Sequence, residues 1–254
     1  MGDKRSGTTA VPIRVLDCTG FGRGGNSMPP TTDFDYIHKF LPADAGSSHP
    51  VTLLLLHGTG GDENVLLPLG KELWPGAALL GLRGKVLETG MSPSFRRFTE
   101  VGVEDVKSRT QELAQFIDAA SERYGFRKRK LIVVGYSNGA NLAASLILLH
   151  PHYLTGAVLF RAMVPLVPDL IRDFSHLSVF IGAARLDPLT PSGQAEELAA
   201  LLESGGADVS ISWHQGGREL TEDDVQAAKH WLTREKHSTK NRRVRASGYA
   251  ASFE

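Results

Sequence analysis

The chain is poor in cysteine and carries no excess of charge of either sign. Cys18 is the single cysteine among 254 residues, which excludes an intramolecular disulfide and any zinc site made of several cysteines. Lysines and arginines number 28, as do aspartates and glutamates, so no nucleic-acid partner is expected. The nine histidines form no H-E-x-x-H pattern, and we predict no metal site.

Long apolar runs are also missing. No stretch approaches the roughly 20 residues that a membrane-spanning helix requires, and residues 1–12 lack the apolar core of a secretory signal. We therefore expect a cytoplasmic protein without a membrane span. Residues 20–25 fit G-x-G-x-x-G, but Pro29 and Pro30 follow and cannot open the helix that would face a pyrophosphate. No nucleotide or other cofactor is predicted.

What the chain does contain is a regular alternation of strand and helix patterns. Strand patterns fall at residues 34–40, 51–58, 77–82, 131–135, 156–160, 178–183 and 209–213. Helical spacing falls at residues 105–124, 138–149, 194–202 and 221–234. Thr221 and Asp224 are suited to capping the start of the last helix. This alternation indicates an α/β fold with a mostly parallel central sheet and helices on both faces.

The composition divides the chain into three predicted segments. Residues 1–30 are rich in glycine, serine, threonine and proline and should form a flexible arm. Residues 31–235 should form a single α/β domain. Residues 236–254 are basic and lack an apolar period, so we expect a disordered tail.

The stretch GYSNG at residues 135–139 is the first candidate for chemistry. It matches G-x-S-x-G and lies between a predicted buried strand and a predicted helix, where this pattern forms a sharp turn that exposes the serine hydroxyl. The amino end of the helix would stabilise a developing anion. We therefore predict that Ser137 is a nucleophile. The alternative is a serine that only caps the helix beside two packing glycines.

Two further loops follow predicted strands. The glycine-rich loop HGTGGD at residues 57–62 is placed to aim the N–H of Thr59 at the same point as the N–H of Asn138, which would form an oxyanion hole. His57 is expected to tie this loop down. Asp187 lies in ARLDPLTP, where the order serine, acid, base requires an acid; the alternative is an aspartate that caps a turn before proline.

These motifs resemble those of the carboxylesterase/phospholipase group of the α/β-hydrolase superfamily, small serine esterases without a large lid that are related to dienelactone hydrolases. The resemblance spans residues 34–235 and is carried by LLLHGTGGDE, RGKVLETGM, GYSNGANLAASL, VLFRAMVPL, ARLDPLTP and WHQGGREL. It implies hydrolysis of a small carboxylic ester or thioester through Ser137, with Thr59 and Asn138 as oxyanion donors and Asp187 as the acid. Some members are homodimers, so a homodimer stays an open alternative to a monomer.

One position departs from the pattern of this family. After the last strand the family usually has G-G-H, and the histidine is the general base; here the loop reads Gly216, Gly217 and Arg218. An arginine side chain stays protonated in proteins and has no lone pair that could accept the serine proton. Arg218 therefore cannot replace the base, but it can pair with Asp187 through a bidentate fork.

Three interpretations remain open from the sequence. In the first, the protein is an esterase by fold whose turnover is strongly impaired. In the second, another histidine supplies the base, and His214 is the nearest in sequence to Arg218. In the third, the protein is an inactive pseudo-hydrolase whose pocket binds a carboxylate- or ester-like ligand, with Arg218 as the anion-binding group.

Overall fold

A computed structural model gives the structure of the chain and describes residues 36–46, 50–85, 102–191 and 193–234. The predicted arm at residues 1–30 and the predicted tail at residues 236–254 lie outside these ranges, as does most of the RGKVLETGM stretch. The predicted domain boundaries therefore stay predictions.

Seven strands form one sheet in the described part of the chain. In chain order they are β1 His38–Leu41, β2 Thr52–Leu56, β3 Ala78–Leu82, β4 Leu131–Tyr136, β5 Gly156–Phe160, β6 Ser178–Ala184 and β7 Asp208–His214. Their order across the sheet is β1-β3-β2-β4-β5-β6-β7. β1 pairs antiparallel with β3, and all other neighbours are parallel. The predicted mostly parallel sheet is confirmed.

The strand β2 explains why the short strand patterns of this chain are apolar at every position rather than at alternate positions. Leu54 and Leu56 belong to one core cluster, whereas Leu53 and Leu55 belong to a second. Side chains of neighbouring residues point to opposite faces of a strand, so both faces of the sheet are covered. A strand in that position needs apolar residues throughout.

Five helices accompany the sheet in the described residues. They are α1 Leu67–Leu73, α2 Val103–Tyr124, α3 Asn138–Leu149, α4 Gln194–Ser204 and α5, which covers residues 222–234. The sequence patterns predict all except α1, whose two turns are too short to display a helical period. None of the helices among the described residues has the length and apolarity needed to cross a membrane.

The start of α5 has the cap that the sequence predicts. The backbone N–H of Asp224 donates to Thr221 Oγ1 at 3.3 Å, and the Thr221 backbone N–H donates to Asp224 Oδ2 at 3.0 Å. This reciprocal pair is a capping box with aspartate in the place of glutamate.

The parallel register brings the carboxyl ends of four strands to one edge of the sheet. Tyr136 at the end of β4 pairs with Phe160 of β5, and Phe160 pairs with Gly182 of β6. The segments that leave β4, β5, β6 and β7 at this edge begin at or close to Ser137, Arg161, Asp187 and Arg218. The candidate site is built from these segments.

Candidate active site

Ser137 lies in a strained turn between β4 and α3. Its backbone has φ 57° and ψ −120°, a conformation that costs a non-glycine residue about 1–3 kcal/mol. A Cβ on Gly139 would meet Leu56 O at 2.0 Å, and a Cβ on Gly135 would meet Ala140 Cα at 2.6 Å. Both glycines are thus required by close backbone approach. The turn has the geometry expected of a G-x-S-x-G motif.

The hydroxyl of Ser137 does not cap the helix that follows. Ser137 occupies the N-cap position of α3 but makes no capping hydrogen bond through its side chain. Its Oγ accepts a short hydrogen bond from Arg218 Nη2 instead. The alternative in which the Ser137 side chain caps the helix is therefore not seen, whereas the role of Ser137 as a nucleophile stays a prediction.

The glycine-rich loop after β2 packs against this turn. A Cβ on Gly58 would lie 3.3 Å from Ser137 Cβ, a tight contact, so the loop lies close to the serine. Asn138 Nδ2 donates to Thr59 Oγ1 at 2.8 Å. The structure thus brings together Thr59 and Asn138, the two predicted oxyanion donors, beside Ser137.

His57 holds this loop, as the sequence predicts. Its Nε2 accepts the backbone N–H of Gly84 at 3.1 Å, so Nδ1 carries the proton and donates to Gly58 O at 2.6 Å. The ring is 1% exposed, and this burial lowers the pKa of His57 because it disfavours the charged form. His57 is therefore a neutral ring with both nitrogens occupied.

Asp187 is a buried acceptor after β6. It accepts the backbone N–H of Leu189 at 2.9 Å and the hydroxyl of Thr190 at 2.8 Å, and Arg218 Nη1 donates to its two oxygens at 3.1 and 2.9 Å. Burial alone would raise the pKa of Asp187, but these hydrogen bonds and the nearby guanidinium lower it overall. Asp187 thus caps its own turn and also pairs with Arg218.

Arg218 bridges the acid and the serine. Its Nη1 is bound to Asp187 and its Nη2 to Ser137 Oγ. The predicted ion pair is present, but one nitrogen makes it, because the second nitrogen is engaged by the serine. The bidentate fork expected from the sequence is therefore wrong in detail.

The direction of the hydrogen bond to Ser137 decides what this arrangement can do. A guanidinium only donates, so Ser137 Oγ is the acceptor and its own proton has no acceptor on Arg218. In the described residues, no imidazole is hydrogen-bonded to Ser137. His214, at the end of β7, accepts the backbone N–H of Gly216 through its Nδ1 at 3.1 Å.

A second arginine at this edge was not predicted. Arg161 follows β5, is 1% exposed and has a positive φ of 58°. Its Nη1 and Nη2 donate to the two oxygens of Asp224 at 3.0 and 2.6 Å. The sequence feature that could have pointed to Arg161 is a lone charged residue directly after an apolar strand in VLFRAMVPL.

Within the described ranges, no cluster of histidine, cysteine, aspartate or glutamate is arranged to hold a metal ion.

Comparisons with known proteins identify the family of the chain. Residues 93–235 match the Phospholipase/Carboxylesterase family. The chain is 47% identical over 191 residues to the putative hydrolase MhqD of Bacillus subtilis (strain 168), covering 74% of this chain and 94% of that protein.

Solved structures share the fold. The Bacillus cereus carboxylesterase superimposes with a TM-score of 0.74 at 43% identity, covering 78% of this chain and 94% of that one. The structure of YahD with malic acid superimposes with a TM-score of 0.72 at 27% identity, covering 78% and 98%. The chain therefore belongs to the phospholipase/carboxylesterase family of α/β-hydrolases.

Proposed function

We propose that the chain is a serine carboxylesterase-type hydrolase of small carboxylic esters or thioesters whose turnover is strongly impaired. Ser137 is the nucleophile, the backbone N–H groups of Thr59 and Asn138 form the oxyanion hole, and Asp187 is the acid. Arg218 stands in the place of the general base. The observation that carries this proposal is the chain of contacts from Asp187 through Arg218 to Ser137 Oγ.

The impairment follows from the chemistry of the two side chains. A serine hydroxyl attacks a carbonyl efficiently only when a base takes its proton, and an imidazole suits this task because its unperturbed pKa is about 6.5. Arg218 occupies the same place without a lone pair. By analogy with serine proteases, binding and oxyanion stabilisation alone leave about 10³–10⁴ of acceleration over water.

The surroundings of the site suit an ester. The amino end of α3 carries the positive end of the helix dipole towards an anion that forms beside Ser137. Leu186 and Leu189, on either side of Asp187, are 70% and 62% exposed. Exposed apolar side chains beside Asp187 would favour a small apolar acyl or alcohol group over a strongly polar one.

Restoring the base tests the proposal. Arg218→His should raise the hydrolysis of short-chain p-nitrophenyl esters by about 10³-fold or more, because an imidazole there can accept the Ser137 proton. Arg127→His adds a histidine in an exposed segment before β4 and should change nothing. Adding Ser137→Ala to the restored variant should remove the gain. An unchanged rate in Arg218→His would show that the missing base is not the cause of low turnover.

The unaltered chain tests whether another base is present. A fluorophosphonate probe labels activated serines, so we expect weak labelling of Ser137. Strong labelling that His214→Ala removes would make His214 the base and would overturn the impairment.

A second function, binding of a carboxylate without turnover, is favoured by one observation. Within the described residues, Arg218 Nε has no hydrogen-bond partner, and its guanidinium adjoins the proposed oxyanion hole. YahD, whose structure superimposes on this chain at 27% identity, was solved with malic acid. If this function holds, calorimetry should detect binding of malate to the chain, and Arg218→Met should abolish that binding. If the unaltered chain does not bind malate, the binding function is excluded and the hydrolase proposal is the one that stands.

A further inference from the structure

We propose that Arg161 is the positioning residue of this site: its buried guanidinium holds the loop that carries residue 218 in the place from which its side chain reaches Ser137 and Asp187. This inference rests on the proposed function, since that function gives the position of residue 218 its importance. Arg161 touches neither Ser137 nor Asp187 and would act only through the loop.

Every N–H of Arg161 has an acceptor. Its Nε donates to Arg218 O at 3.1 Å, and its Nη2 donates to Glu219 O at 2.8 Å. Its Nη1 donates to Gly182 O at 3.1 Å, and the two remaining N–H groups bind Asp224. An arginine has five N–H donors, so all of them are used. One side chain therefore connects β6, two consecutive carbonyls of the loop and the start of α5.

The loop needs such an external anchor. Gly216 is held by hydrogen bonds to His214 and Leu186, but Gly217 directly precedes residue 218, and a glycine leaves its backbone free to rotate. The carbonyl of Arg218 also accepts the hydroxyl of Tyr136 at 3.1 Å, and Tyr136 directly precedes Ser137. With the carbonyls of residues 218 and 219 both held, the direction in which the side chain of residue 218 projects is determined relative to Ser137.

The ion pair itself does not account for this arrangement. The side chains of Arg161 and Asp224 are 0% and 2% exposed, and burying such a pair costs desolvation that its attraction does not reliably exceed. A pair of well-packed apolar residues would serve stability as well. Arg161 also adopts a left-handed backbone conformation, which disfavours a non-glycine residue. The feature that an apolar pair could not supply is the set of donors to the two loop carbonyls.

The test uses three variants in the Arg218→His background. Asp224→Asn removes the ion pair but leaves Arg161 in place to donate to the two loop carbonyls. The double variant Arg161→Met/Asp224→Asn removes both charges, so that no unpaired charge remains buried, and it removes the donors to the loop. Leu113 lies in the buried core, so Leu113→Ala is the control that destabilises the protein without removing a contact of the loop. Circular dichroism and thermal unfolding establish that each is folded.

Two readouts separate positioning from stability. In ester hydrolysis the double variant should lose about 100-fold in kcat with KM unchanged, since a misplacement of about 1 Å has this effect, whereas Asp224→Asn and Leu113→Ala should keep kcat within a few-fold. In an NMR titration, the pKa of the introduced imidazole should be raised by Asp187 in the parent and fall towards about 6.5 in the double variant.

The outcomes distinguish this inference from the proposed function. If Arg218→His itself shows no esterase activity, the proposed function fails, and the NMR titration still decides the role of Arg161. If the double variant keeps the kcat and the imidazole pKa of Asp224→Asn, Arg161 is only a structural partner of Asp224 and the inference is overturned.

Discussion

Arg218 contacts the two residues that a histidine base at this position would contact, but the direction of its hydrogen bond to Ser137 is reversed. It lies between Asp187 and Ser137, as a histidine would, but it donates to the serine where an imidazole would accept. At the scale of single residues, the sequence sufficed to predict that this position cannot deprotonate Ser137. It did not suffice to predict which guanidinium nitrogen meets which partner, because that depends on where the backbone of three loops lies.

The strain at Ser137 gives a prediction at the same scale. With φ 57° and ψ −120°, the backbone there favours glycine, so Ser137→Gly should be more stable than Ser137→Ala by about 1 kcal/mol. Ser145 in the middle of α3 offers the matched comparison, and there glycine should be less stable than alanine by about 1 kcal/mol. Urea unfolding of the four variants measures both differences. If the alanine variant were the more stable one at both positions, the turn at Ser137 would be unstrained.

The elements at the site are placed by close contact between α3 and the sheet. The missing side chain of Gly139 lets α3 approach the end of β2, where Leu56 O would lie 2.0 Å from an added Cβ. This contact brings the amino end of α3 next to the loop that contains Thr59. The motif predicted the turn, since its glycines and the flanking patterns are local, but α1 was missed because seven residues carry too little periodicity.

Gly139→Ala tests this contact. The added methyl group must displace α3 from β2, so we expect a loss of about 3 kcal/mol or more in the free energy of unfolding. Gly102→Ala, at the start of α2, adds the same group where nothing lies within 4 Å and should change stability by about 1 kcal/mol or less. Chemical denaturation of both variants provides the measurement, and equal effects would contradict the close approach.

At the scale of the whole molecule, the order of the strands assembles the site. β4, β5, β6 and β7 are adjacent and parallel, so residues far apart in the chain meet at one edge. Arg161 and Asp224 are separated by 63 positions, yet their pair is among the most buried polar contacts described. The sequence pattern indicated a parallel sheet, but it contained nothing to pair these two residues.

This buried pair should make the stability of the molecule sensitive to acid. Burial alone would raise the pKa of Asp224, but the hydrogen bonds from Arg161 and Thr221 lower it below the ordinary value. The unfolded chain therefore takes up the proton first, and the contribution of Asp224, complete above the unfolded-state pKa of about 3.9, is lost as the pH falls through the lower folded-state pKa.

The pH dependence of unfolding isolates this contribution. Asp224→Asn should lower stability at neutral pH and should flatten the dependence of the unfolding free energy on pH between about pH 5 and pH 2. Asp223→Asn, an exposed neighbour on α5, should leave the dependence unchanged. Urea unfolding across this range is the measurement; an equally steep dependence in Asp224→Asn would assign the acid sensitivity to other groups.

The sequence by itself determined the strands, the longer helices, the turn at Ser137 and the inability of Arg218 to act as a base. These features depend on side-chain periodicity, on glycines at fixed spacing and on the charge of one functional group, all of which are local. Only the tertiary structure decided that Arg218 donates to Ser137 while pairing with Asp187, and that Arg161 holds the loop beside them. Those contacts join residues from separate strand ends, and their partners are selected by the packing of the sheet rather than by proximity along the chain.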